Sequence, residues 1–220
     1  MVAIEPGERL VSLAEQNLRG SVGIEFVNAR FEDAPVAEGY FRAVFSASAF
    51  HWVDPDVSWE KVARVLAPGG TLALIQYFGL QEERSIRDQE ALLSGLARIA
   101  PEIATEWPTY RDLDATVAGV ERRRENISEV WAWLGSHDVA REQAGRQFGA
   151  VRVAVVPILL EQTADELNAL LRTVSAYQRL SPEQRRALES EHLDMYRRLG
   201  RPIRSSTVAV LVTARRTTDV

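Results

Sequence analysis

Glu5 and His51 are the two side chains near the start of the chain whose type and place could do chemistry. Glu5 closes the short apolar run Val2-Ala3-Ile4. A carboxylate at the C-terminal end of a strand can accept two hydrogen bonds from a ribose diol. The plain alternative is a surface glutamate at a strand end. His51 lies in the small, aromatic loop Ala47 to Pro55 that follows the apolar run Phe41 to Ser46. Its imidazole titrates near neutrality and could take a proton from an attacking oxygen, or it could be a hydrogen-bonded loop residue that only shapes a pocket. His137 and His192 stand in polar, helical surroundings and are read as exposed. Phe31 is read as an ordinary core aromatic at a strand exit. Trp52 is read as core, although a cationic ligand would suit its face. Arg122, Arg123 and Arg124 could receive an anionic group through paired hydrogen bonds, or could form a solvated helix face.

The elements that must hold these groups follow from periodicity. Phe41 to Ser46 has strand length, and Val57, Val62, Ala63, Val65 and Leu66 recur at helical spacing behind Asp54 and Asp56, which stand where an N-cap or first turn places a carboxylate. Ala67-Pro68-Gly69-Gly70 is expected to end that helix, and Thr71 to Tyr77 to be the next strand. This is a βαβ unit with apolar strands suited to a parallel sheet covered on both faces, and a ligand is expected at the strand ends near Ser46 to Trp52. Upstream, Val2 to Gly7 is a short strand and turn, Glu8 to Leu18 an amphipathic helix with Leu10, Leu13, Ala14 and Leu18 on one face, and Ile24 to Asn28 a strand. Downstream, Arg84 to Ile99, Asp112 to Val120 and Asn126 to Leu134 read as helices, with Pro101 and Pro108 as breaks and Trp107, Tyr110, Trp131 and Trp133 among them. Val151 to Leu160 is β-rich, with Pro157 suggesting an edge. Ala164 to Leu180 and Pro182 to Leu199 are helices, the second capped by Ser181, and Ser205 to Ala214 is a closing strand.

Composition bounds the function. The chain has 220 residues, 46% of them hydrophobic, which suits one domain with a sizeable core, and its net charge of −5 gives no general reason to expect nucleic acid. With no cysteine there can be no disulfide, thiolate metal site or cysteine nucleophile, which fits a reducing cytoplasm. No apolar run reaches membrane-spanning length, and the N-terminus lacks the order of a secretory signal. There is no internal repeat, and no metal site is expected.

The loop SASAFHWVDP, a helix, and then LAPGGTLAL closely resemble the fourth and fifth strands of class I S-adenosylmethionine-dependent methyltransferases, in particular the small-molecule branch that includes trans-aconitate methyltransferase. The resemblance implies an α/β fold, a Rossmann-like sheet with helices on both faces and an antiparallel last strand. It divides the chain into a cofactor-binding half at 1–80, a helical insert or lid at 81–147, and a C-terminal strand pair with helices at 148–220. It implies S-adenosyl-L-methionine as cofactor and a small-molecule methyl acceptor. Glu5 would hold the ribose, Asn28 and the Ala29 backbone N–H the adenine, Phe31 a ring face, and Ser46 the methionine end. His51 and the insert would face the acceptor.

One feature of that family is missing. Its first strand ends in a glycine-rich turn of the GxGxG type, and no such turn occurs here. The chain begins at the second strand, so the central strand would be absent and Met1 is expected to be a late start within a longer protein. Two strands would then face a gap with unpaired backbone groups, and self-association through those edges is expected. Two further readings stay open. One is an inactive remnant serving as a binding or interaction module. The other is a nicotinamide-dependent oxidoreductase, which shares the strand-terminal acid but not the aromatic loop or LAPGG.

Overall fold

A computed structural model describes residues 1–105, 110–134, 141–149 and 151–218. Trp107, Pro108 and His137 lie outside the described residues. The chain divides into two compact units, one of residues 1–76, 118–154 and 211–220, the other of 77–117 and 155–210, so the helical stretch 81–147 is shared between them.

The first unit opens with β1 (Val2–Ile4), α1 (Glu8–Asn17) and β2 (Glu25–Val27). β1 and β2 pair in parallel as a separate two-stranded sheet, Val2 opposite Glu25 and Ile4 opposite Val27. The expected apolar face of α1 is not covered: Val11 is buried, whereas Leu10 and Leu13 are 57% and 51% exposed, because so small a sheet offers little surface to pack on.

The βαβ unit forms as read from the sequence. β3 (Phe41–Ala47) leads through a tight helical turn at Phe50–Trp52 to α2 (Pro55–Val65) and β4 (Leu66–Gly79). Asp54 caps α2 by accepting the Asp56 N–H at 2.8 Å, and Pro55 occupies the first turn, where no intrahelical N–H bond is lost. The helix stops one residue before the LAPGG tract, which is itself the entry to the strand. Leu66 is already extended and opposite Phe41, Gly69 takes φ +73°, and pairing slips between Phe41 and Ala43 before running evenly from Ala43 opposite Thr71 to Ala47 opposite Ile75. Pro suits an extended backbone as well as a helix stop, so the tract makes an irregular strand start.

The larger sheet has the order β3-β4-β6-β5, with β5 at Arg152–Gln162 and β6 at Ile203–Arg215. β6 runs antiparallel to β4, since the Leu80 N–H bonds Ser206 at one end and the Arg216 N–H bonds Gly70 at the other, both at 2.8 Å. Ser206, Val208, Val210, Val212 and Ala214 are buried at every second position, and β5 with Pro157 is the outer strand, as expected. Among the described residues no strand joins the two sheets, and β3 has β4 as its only partner, with Phe45 63% exposed.

The core of the first unit centres on Phe50, whose ring meets Trp59 at 4.9 Å and Trp131 at 6.2 Å, both edge to face. Trp131 comes from α6 (Ile127–Trp133), which with α7 (Glu142–Gln147) follows α5 (Leu113–Glu121).

The second unit contains α3 (Ile86–Ile99), α4 (Pro101–Ala104), α8 (Ala164–Leu171), α9 (Ser175–Gln178) and α10 (Pro182–Leu199). Leu96, Ala100, Ile103, Tyr177, Leu180 and Leu188 form its apolar cluster. The single helix expected over Ala164 to Leu180 is broken: Val174 is extended, and the Thr173 hydroxyl bonds the Leu170 carbonyl at 2.7 Å, closing α8. Ser181 caps α10 in a reciprocal pair with Gln184. Asp88 is buried and binds Arg201 with two bonds, at 2.7 and 2.9 Å, and the Arg204 N–H at 2.8 Å. His192, expected to be exposed, is only 2% exposed, with Nδ1 2.6 Å from Asn168 Oδ1, because α10 lays that face against α8.

Candidate cofactor site

Glu5 directly follows β1, and its N–H extends the pairing to Val27 O at 3.1 Å. Its Oε1 accepts the Gly7 N–H at 2.7 Å, which turns the carboxylate toward the start of α1. A side chain at residue 7 would put Cβ 2.9 Å from that oxygen, so glycine lets the carboxylate in. The Asn28 side chain donates to the carbonyls of Glu5 at 2.9 Å and Pro6 at 3.1 Å, tying the ends of β1 and β2 together. The Ala29 N–H donates to Val27 O at 3.1 Å, so in this structure it is engaged within its own turn.

The loop after β2 is held to α2 from two sides. Glu32 Oε1 accepts the Asp54 N–H and the Arg30 guanidinium, each at 2.9 Å. Burial pushes the Glu32 carboxyl up, but these donors outweigh it and hold it below the ordinary carboxylate range. Lys61 Nζ donates to Glu32 O at 2.9 Å and Ala34 O at 2.8 Å, and lies 5.4 Å from the centre of the Phe31 ring. Burial, with Arg64 adding to it, lowers the Lys61 ammonium below the usual lysine range against the pull of Asp33 and Glu32.

At the other strand end, Ser46 pairs opposite Leu74. Ser48 takes φ +49°, unusual outside glycine, and its N–H bonds Ile75 O at 2.9 Å, so the chain leaves β3 through a sharp turn into Phe50–Trp52. His51 is partly buried, its Nδ1 has no hydrogen-bond partner among the described residues, and burial lowers its pKa from 6.5. Trp52, read from the sequence as core, is 71% exposed with its ring 5.0 Å from His51. The core place falls to Phe50 and Trp59, because the short helical turn points residues 50 and 52 in different directions.

Of the residues singled out from the sequence, Glu5 and Asn28 are tied together by hydrogen bonds at the ends of β1 and β2, Ala29 and Phe31 follow in the loop after β2, and Ser46 and His51 sit at the end of β3. Two of the three arginines of the cluster are otherwise engaged. Arg123 stacks 4.3 Å from the Trp133 ring and donates to Gly119 O, and Arg124 pairs with Glu121 at 3.1 Å. Sequence reasoning misses Lys61 and gives Glu32 no role. The signal is present: Lys61 is four residues from both Val57 and Val65, a lysine inside the apolar stripe. Among the described residues no group of three His, Asp or Glu could hold a metal ion, and no helix is long and apolar enough to cross a membrane.

A strand-terminal acid, helices around a mostly parallel sheet and an antiparallel last strand define the class I methyltransferase architecture. The family described as "Methyltransferase domain" matches residues 1–74, about a third of the chain, and that stretch is similar to methyltransferases in sequence. An uncharacterized methyltransferase of Mycobacterium tuberculosis is 35% identical over 75 residues, covering 34% of this chain and 30% of that protein. A methyltransferase of Claviceps purpurea is 37% identical over 68 residues, 30% of this chain and 21% of its own length. The chain thus matches less than a third of the length of these curated relatives. Among solved structures, one named as a type II methyltransferase of Anaeromyxobacter dehalogenans superposes with TM-score 0.57 at 19% identity, over 97% of this chain and 79% of that one. Another, named as a methyltransferase of Bacillus halodurans, gives TM-score 0.50 at 17% identity, over 99% and 83%. Both share the fold.

Proposed function

We propose that the chain acts as an S-adenosylmethionine-dependent methyltransferase on a small molecule. The observation that carries this reading is the Glu5 carboxylate, fixed at the end of β1 by Gly7 and backed by Asn28. Only one of its oxygens is committed to the backbone, and an ionised carboxylate has about four acceptor positions, so capacity for a ribose diol remains. These residues therefore fit the nucleoside part of the cofactor. Glu5 would hold the ribose. Asn28 keeps its side-chain oxygen for an adenine amine while its amide nitrogen ties the strand ends, and the Ala29 N–H would exchange Val27 O for the base. Phe31 would cover the ring, and Ser46 would face the methionine end. The cofactor supplies an electrophilic methyl group on a sulfonium. The chain supplies position and exclusion of water, which for such in-line transfer matter more than acid–base groups. His51, neutral at pH 7 because burial lowers its pKa, would take a proton from an acceptor oxygen. The compartment proposed is the cytoplasm, with no nucleic-acid or membrane partner.

A second reading is favoured by a specific observation. β3 is unpaired on one side among the described residues and exposes Phe45, which suits an interaction module that self-associates through strand edges. Calorimetric titration with S-adenosylhomocysteine, with NADH as control, separates the two. Micromolar binding that weakens at least tenfold in Glu5→Gln supports the methyltransferase reading. No heat with either ligand from folded protein refutes it, and heat with NADH alone would make the chain an oxidoreductase.

A further inference from the structure

Lys61 is only 7% exposed, yet no ion pair holds it among the described residues. The carboxylate beside it, Glu32, is bonded to the Asp54 N–H and Arg30 instead. Burying an ammonium is costly, and a methionine or leucine would fill the same stripe of α2 at no such cost. What the ammonium does gain is specific. It takes the carbonyls of Glu32 and Ala34, at 2.9 and 2.8 Å, and stands 5.4 Å from the Phe31 ring centre. These bonds bracket Asp33 and fix the backbone on the C-terminal side of Phe31. Asn28 fixes it on the N-terminal side through Glu5 and Pro6. Residues 29 to 31 are thereby suspended between two anchors, and Phe31 is the one apolar side chain among them large enough to face a base.

Resting on the methyltransferase reading above, we propose that Lys61 is a positioning residue of the nucleoside site: its ammonium, fixed on the Glu32 and Ala34 carbonyls, holds the Phe31 ring as the face against which the adenine is bound. Lys61 itself touches no ligand atom and acts through Phe31. The reach from α2 also makes base affinity depend on the helix that follows the acceptor loop, so the two ends of the cofactor site share one support.

The test is a double-substitution cycle read as S-adenosylhomocysteine affinity. Lys61→Met keeps the length of the stem and loses the donors, and should weaken binding by about tenfold, the scale of one desolvated cation–aromatic contact with its hydrogen bonds. Phe31→Ala should weaken it by a similar factor. The double variant should bind no more weakly than Phe31→Ala alone, because Lys61 then has nothing to position. Fully multiplicative losses overturn the proposal, since Lys61 would then act independently of the ring. Lys61→Arg should recover part of the loss with a smaller change in melting temperature. If Lys61→Met does not fold, the wild-type chain decides: saturating S-adenosylhomocysteine should move the 15N-edited signal of the Lys61 ammonium and slow hydrogen exchange at residues 30–34. An unmoved signal with ligand bound overturns the proposal. Failure of the wild-type chain to bind the ligand at all removes the methyltransferase reading, whereas binding without coupling removes this inference alone.

Discussion

His192 offers a sharp quantitative test because its burial carries a pH dependence of known sign. The side chain is 2% exposed, and burial pushes its pKa from 6.5 down to about 4, with Glu191 and Glu189 pulling the other way. At pH 7 it is neutral in both folded and unfolded chains and contributes nothing to pH dependence. As pH falls below 6.5 the unfolded chain takes up a proton that the folded chain refuses. Stability is therefore lost progressively between pH 6.5 and about 4 and then levels off. Each unit in that window is worth about 1.4 kcal/mol, so the loss between pH 7 and pH 5 is about 2 kcal/mol. His192→Gln keeps an N–H for Asn168 Oδ1 and cannot titrate. Urea unfolding of both proteins at pH 7 and pH 5 isolates the effect, because carboxylates other than the neighbouring Glu189 and Glu191 titrate alike in the two. The wild-type chain should lose about 2 kcal/mol more than the variant over that interval. Equal losses would refute the burial and its linkage to folding.

Two further outcomes test other parts of the fold. Asp88→Asn should destabilise the chain by about 2 kcal/mol at pH 7, since it weakens a two-bond pairing whose carboxylate is buried but whose guanidinium is partly in water. Burial pushes the Asp88 carboxyl up, but Arg201 and the Arg204 amide outweigh it and hold it low, so its contribution is present above about pH 4 and lost as pH falls through the folded pKa. The gap between wild type and variant in chemical unfolding should accordingly narrow in acid. Gly70→Ala and Gly69→Ala should rank in the opposite order to what backbone angles alone suggest. A Cβ at 70 would lie 2.8 Å from the Ala67 carbonyl and 3.1 Å from that of Phe41, whereas one at 69 meets open space and only the strain of φ +73°. A loss above about 2 kcal/mol is expected at Gly70, from strand atoms that cannot give way, against about 1 at Gly69. Equal melting temperatures for the two variants would contradict the close approach.

Much of the fold is legible because its signals are local. The period of α2, its Asp54 cap, the alternation of β6 and the proline of β5 are each set by a few neighbouring residues. The misreadings share a cause in distance along the chain. His192 is buried by Asn168, twenty-four residues away, and nothing near it in sequence says so. Trp52 looks like core by type, but Phe50 and Trp59 take the place that Trp131 completes. The LAPGG tract reads as a helix stop when it is also a strand start, because proline and glycine exclude a helix more clearly than they specify the next element. At the site, Glu5 can be named from its strand-end position, and Asn28 from the family resemblance. Lys61 cannot be given a role without knowing that Glu32 and Ala34 turn their carbonyls toward α2.

The division of the sheet bears on how tightly any nucleotide could be held. Glu5 and Asn28 stand on the two-stranded piece, Ser46 and His51 on the four-stranded one, and no backbone ladder among the described residues links them. The pieces are joined by the intervening chain and by the Glu32 and Lys61 side-chain bonds. A ligand spanning both would serve as the cross-brace, binding only while the pieces are in register. Its apparent affinity would be the intrinsic one scaled by the fraction of time they are aligned, so anything that locks the small piece in place strengthens binding without touching the ligand.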